Sequence, residues 1–252
     1  MRARGLREQV KPGRHEAGPG RMPGHAVVLA VIAGLSYSTF VLGHFLNPDL
    51  DLINAYVSEL SAVNQPFRAV FNTGDLVTGV CSVLVAVTAL ARLARRSLAR
   101  AGWTFLLLFG ACAIGDAVFP LDCAPSLQTW CALREQAQQV SFSHQFHAVT
   151  SSFVIVFGVL ALFTLSLAAR RYGWWPTLAR WGRILAVAEA LCGLGTLLLM
   201  IRGSWLGLMQ QVQIGILCAG LLVIARALHE DRVARPSVLA AGPARRCHEP
   251  ER

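Results

Sequence analysis

The chain has little charge. Only 15% of its 252 residues are Asp, Glu, Lys or Arg, whereas 54% are hydrophobic, and the mean hydropathy is +0.50. A water-soluble domain of this length needs more charge over its surface, so a soluble globular protein is excluded. Strand alternation bounded by turns is also missing, which removes a soluble α/β reading. The patterns G-x-x-x-x-G-K-[ST], H-E-x-x-H and G-x-S-x-G do not occur. The phosphate-cradling loop, the helical zinc-protease pair and the nucleophile elbow are therefore not available to this chain. No apolar run is broken by Gly-Pro at its midpoint, and the two halves show no repeat, which counts against a secondary transporter.

What is present is six apolar runs of roughly 19 to 22 residues, the length a helix needs to cross a bilayer core. They lie at Ala26–Phe45, Val70–Leu90, Ala101–Phe119, Ala148–Ala169, Trp181–Ile201 and Leu206–Ala227. The expected fold is all-α: a polytopic membrane domain over residues 26–228. A basic tail over 1–25, rich in Arg, Gly and Pro, and a second tail over 229–252 cannot bury a core and are expected to be disordered. The first run is too long for a signal-peptide core and reads as a retained anchor.

The net charge of +9 is distributed by loop. With the N-terminus in the cytoplasm, 20 of the 23 Lys and Arg fall on the inner side, leaving Arg68, Arg134 and Arg202 outside. That asymmetry predicts both termini in the cytoplasm of a cell (plasma) membrane protein. The basic residues then serve topology, and no nucleic-acid partner is expected; membrane lipids are.

Cys81, Cys112, Cys192 and Cys218 lie inside predicted helices and read as small apolar residues. Cys247 falls in a cytoplasmic tail and is expected to be reduced. Cys123 and Cys131 share an outside loop, where a disulfide is allowed; two free thiols are the alternative. Their spacing is not that of a zinc pair.

Ionisable groups at membrane depth are costly and need a reason. His44, Glu59, Asp75, Asp116, His144 and His147 all fall near the outer interface. His144 and His147 are three apart, and Ser151 follows His147 by four, so the three share one helical face. Such a pair, with aspartates at the same depth, could hold a divalent metal such as zinc, with His144, His147 and Asp116 as ligands. It could instead relay protons, or simply form a structural hydrogen-bond network with no cofactor. Glu189 stands apart, near the midpoint of the fifth run. Gln210 and Gln213 on the sixth run share a face with Gly207 and are placed to hydrogen-bond to it, as polar glue or as part of a proton-carrying site.

The segments "SELSAVNQPFRAVFNTGDLVTG", "GDAVFPLDC" and "VSFSHQFHAVTSS" together resemble the bacterial membrane family catalogued as domain of unknown function 998. The resemblance rests on Ser58, Glu59 and Leu60; Phe71, Asn72 and Asp75; Phe119, Pro120 and Asp122; and His144 with His147. Ser61 departs from the glycine expected there. The resemblance covers roughly Ala26 to Ala227; it implies a six-helix bundle whose outer polar residues form one site, and implies no activity. Three functions stay open: a site for a lipid headgroup or partner, a metal-dependent membrane hydrolase acting on a lipid or envelope ester, and a proton-coupled transporter.

Overall fold

The computed structural model describes residues 22–93 and 96–233, and in it all six runs are helices long and apolar enough to cross a membrane. The first span is composite: α1 (Gly24–Ser36), a 3-10 stretch (Tyr37–Leu42) and α2 (Gly43–Leu46). The others are α3 (Arg68–Arg92), α4 (Ser97–Val118), α6 (Phe142–Tyr172), α7 (Pro176–Arg202) and α8 (Leu206–Val233). A short helix, α5 (Thr129–Gln136), lies in the loop between α4 and α6. Of the tails expected over 1–25 and 229–252, residues 1–21 and 234–252, with Cys247, lie outside the described residues.

Each span packs on the next, and α8 closes back on α1, so the bundle is a ring. Trp103 and Phe109 of α4 and Leu165 of α6 are fully buried in its core, with alanines of α1, α3, α6 and α8 between them. Small residues set the spacing, as they do where lipid gives helices no hydrophobic reason to associate. At the α3–α4 crossing Gly79 and Gly110 face each other. A Cβ on Gly79 would stand 2.6 Å from the Gly110 carbonyl, and one on Gly110 would stand 2.7 Å from that of Gly79.

The last helix runs on to Val233, into the segment expected to be tail. Glu230 explains the extra turn. It accepts a hydrogen bond from the Thr177 backbone N–H (3.2 Å) and another from the Thr177 hydroxyl, and pairs with Arg226 at 3.3 Å, so the helix end is tied to the start of α7.

Candidate functional site

Two connections close one end of the bundle. The loop after the first span is anchored on α8. The Leu208 and Trp205 backbone N–H groups donate to the Ile53 carbonyl (3.0 Å) and the Asn54 side-chain oxygen (2.8 Å). The Gln210 side-chain carbonyl accepts from the Val57 N–H at 2.8 Å. The same loop is joined to the α4–α6 connection. Glu59, 0% exposed, accepts from the Tyr56 N–H (3.0 Å), the Ser126 N–H (3.0 Å) and the Ser126 hydroxyl (2.6 Å). The Val63 N–H donates to the Leu121 carbonyl at 2.8 Å. The α4–α6 connection carries its own cross-link, a disulfide between Cys123 and Cys131 with Cα atoms 6.1 Å apart. Burial pushes the Glu59 carboxyl above the usual carboxylate range, against the pull of the Ser126 hydrogen bonds.

The start of α6 fixes this lid. Ser141 is its N-cap, accepting from the His144 N–H at 3.2 Å. Asp122 in turn accepts from the Ser141 hydroxyl (2.5 Å) and N–H (2.8 Å). Some burial raises the Asp122 carboxyl, but those bonds, with His144 and Arg134 nearby, outweigh it and hold the group below its ordinary range. The Ser143 hydroxyl donates to the Pro120 carbonyl at 2.8 Å. "SHQFH" thus closes the bundle by gripping residues 119–122 of the preceding turn.

Beneath the lid is a cavity of about 120 Å³. Asp75 from the second turn of α3, Asp116 from the last turns of α4, and His147 and Ser151 from α6 supply its polar wall, and Gln210 and Gln213 from α8 face them. Tyr37, Thr39 and Phe40 of the 3-10 stretch form the remaining side. The tighter 3-10 turn brings Thr39 against α3, where only a glycine fits: a Cβ on Gly74 would lie 2.2 Å from the Thr39 hydroxyl oxygen. Asp116 accepts a hydrogen bond from the Thr150 hydroxyl. The His147 Nδ1 stands 2.9 Å from the Phe119 carbonyl and 3.1 Å from the Asp116 carbonyl. Both are acceptors, so Nδ1 carries a proton, and in the neutral ring Nε2 keeps a lone pair. That Nε2 is buried with no hydrogen-bond partner among the described residues. Among the described residues that line the cavity there are two carboxyl groups and an imidazole, and no Lys or Arg.

The expected outer residues therefore divide. Asp75, Asp116, His147 and Ser151 meet in the cavity. His144 does not join them: its Nδ1 accepts from the Asp122 N–H at 3.3 Å and its Nε2 stands 3.9 Å from the Glu135 carboxylate, both in the lid. His44 is exposed and pairs with Gln211 at 2.8 Å, and Glu59 is wholly used by the lid. The metal set of His144, His147 and Asp116 is corrected accordingly. Residues three apart on a helix differ by about 60° and 4.5 Å, enough for one ring to meet the lid and the other the cavity. Among the described residues no group of three or more His, Cys, Asp or Glu side chains is arranged to hold a metal ion.

Glu189 lies deeper, 0% exposed on α7. Of the two glutamines expected to bond to it, Gln213 is the one turned toward the carboxyl, and Gln210 is engaged elsewhere. The Gln210 carbonyl is used by Val57, and the Gln213 carbonyl accepts from the Thr196 hydroxyl at 3.0 Å. The Gln213 side chain faces Glu189, but neither carboxyl oxygen nor the Gln213 amide nitrogen reaches hydrogen-bonding geometry among the described residues. Tyr37 in the cavity wall and Asp122 at the α6 N-cap are positions that residue spacing does not single out. Tyr37 sits within an apolar run, and only the neighbouring hydroxyls of "SYST" signal a polar face there.

A family model described as "Protein of unknown function (DUF998)" matches residues 30–227, from within α1 to the last turns of α8. No curated protein and no solved structure matches the chain.

Proposed function

The chain belongs to the DUF998 family, a membership that assigns no activity, and from the geometry of the site we propose that its cavity receives the cationic amine headgroup of a membrane lipid. The observation that carries this reading is the cavity's charge: Asp75 and Asp116 line it, and no Lys or Arg does among the described residues. Carboxylates at membrane depth are costly unless a cation offsets them, and among the described residues that line the cavity no Lys or Arg does so. A volume of about 120 Å³ holds several waters, which suits an ethanolamine-sized group and not a whole lipid. Tyr37, Phe40 and Phe71 line the same space and give an ammonium aromatic faces to lie against. The bundle sits in the plasma membrane with both termini in the cytoplasm and the disulfide end outside, so the headgroup comes from the outer leaflet.

The test is thermal unfolding of the purified protein in detergent with short-chain phosphatidylethanolamine, phosphatidylglycerol or free ethanolamine. Phosphatidylethanolamine at about a hundred times its Kd should stabilise by about 2.7 kcal/mol, raising Tm by about 5–10 °C. Asp75→Asn and Asp116→Asn should each reduce the shift, and phosphatidylglycerol should give none. Equal stabilisation by the anionic lipid, or an undiminished shift in both variants, sinks the reading. An equal shift from free ethanolamine overturns the lipid as the source and keeps the amine as the ligand.

A further inference from the structure

Below the cavity, the polar groups do not stop. Tyr37 lines the cavity and lies within electrostatic reach of Asp75, Asp116 and Glu189. Gln213 also lines the cavity, turns its side chain toward Glu189, and keeps an amide nitrogen with no hydrogen-bond partner among the described residues. It is 2% exposed, and Glu189 is 0% exposed. These side chains form a file from the cavity acids, through Tyr37 and Gln213, to a carboxyl at the middle of α7.

The file does not look like helix-to-helix glue. Glue works by hydrogen bonds, and the Glu189 carboxyl, turned toward the Gln213 amide, holds no close hydrogen bond among the described residues. Among the described residues, no Lys or Arg is placed to face a charge at Glu189. The titratable groups around it are Cys192 on its own helix, Cys218 on α8 and Tyr37 on the first span, with Asp75 and Asp116 beyond Tyr37. The other helix packed on α7 is α6, which carries no titratable side chain between His147 and Arg170. A carboxyl in such a place is tolerated only with its proton on, or with a cation brought to it.

We propose that Glu189 is an internal proton-binding site that exchanges its proton with the cavity through Tyr37 and Gln213. The exchange is a transfer and nothing else: the proton leaves the Glu189 carboxyl for a cavity water or acceptor, and one returns by the same route. This assignment rests on the cavity's position and not on which headgroup enters it, so its test uses no ligand.

Infrared difference spectra of the full chain in detergent read it directly, from the C=O stretch of protonated carboxyls. A band should be present in the wild type, be lost in Glu189→Gln, and move in Glu189→Asp, which keeps the acid should the first variant fold poorly. In D2O the band should shift as the proton exchanges. It should fall away as pH is raised, and Gln213→Leu should slow its exchange at least tenfold. A Glu189 band that does not shift in D2O while the protein is folded would mean a sealed carboxyl and overturn the proposal. So would the lack of any Glu189-dependent band at every pH where the protein is folded, since the group would then never hold a proton. Failure of amine binding leaves these outcomes unchanged, so the two readings fail separately.

Discussion

Replacing Glu59 by Ala removes the buried side chain that joins the two lid segments, and leaves the exposed Asn64–Gln128 bond (2.8 Å) between them. Its carboxyl accepts from Tyr56 N–H, Ser126 N–H and the Ser126 hydroxyl, and it is fully buried. The hydroxyl can turn to another acceptor, but the two backbone donors cannot. Each orphaned donor costs roughly 1–3 kcal/mol, and because these sites are part-buried the lower half of that range applies, giving about 3 kcal/mol in all. Denaturant unfolding in detergent, with the disulfide intact, measures it. Glu59→Gln should fall between wild type and Ala, because its amide nitrogen must point at one of the same donors. The wild-type protein should also show a pH slope. Burial raises the Glu59 pKa on folding, so the folded state holds the proton more tightly than the unfolded one. Its contribution is fully present below the unfolded pKa and is lost as pH rises through the folded value. That slope should vanish in Glu59→Gln. A change below about 0.5 kcal/mol in Glu59→Ala, the size of an ordinary surface substitution, would refute the lid as described.

Three further outcomes are expected. Cys123→Ser should destabilise the protein by about 2–3 kcal/mol through the loop entropy it releases, and alkylation of intact protein should find Cys123 and Cys131 only after reduction. Gly79→Val should prevent normal assembly, since a Cβ there meets the Gly110 backbone oxygen at 2.6 Å, whereas Gly215→Ala on α8, where nothing lies within 4 Å, should be neutral or stabilise by up to about 1 kcal/mol. A reporter active only in the cytoplasm should work when fused after Arg96 and fail after Leu127; the reverse pattern overturns the orientation.

The six spans were legible because membrane helices announce themselves by length and apolarity, and the structure moves their ends by a turn or two. The disulfide was legible because two cysteines fell in one loop. Depth was legible too: the positions of Asp75, Asp116 and His147 within their apolar runs put them at one level, and they line one cavity. The partition between His144 and His147 was not. It depends on how residues 119–136 fold back over α6, and that loop has no periodicity to read. Glu59 misled for the same reason, since its partner Ser126 is 67 residues away in an irregular segment. The 3-10 stretch at Tyr37–Leu42 was hidden inside an apolar run whose composition suits an α-helix equally well.

The central claim is that an acidic cavity beneath the disulfide-linked lid holds an amine headgroup. Native mass spectrometry of the protein released from detergent, loaded with equal phosphatidylethanolamine and phosphatidylglycerol, tests it most directly. The wild type should retain one phosphatidylethanolamine at collision energies that strip phosphatidylglycerol. The double variant Asp75→Asn, Asp116→Asn should lose that preference while keeping its disulfide and its helical content. Retention of both lipids alike by the wild type, or an unchanged preference in the double variant, would contradict the account.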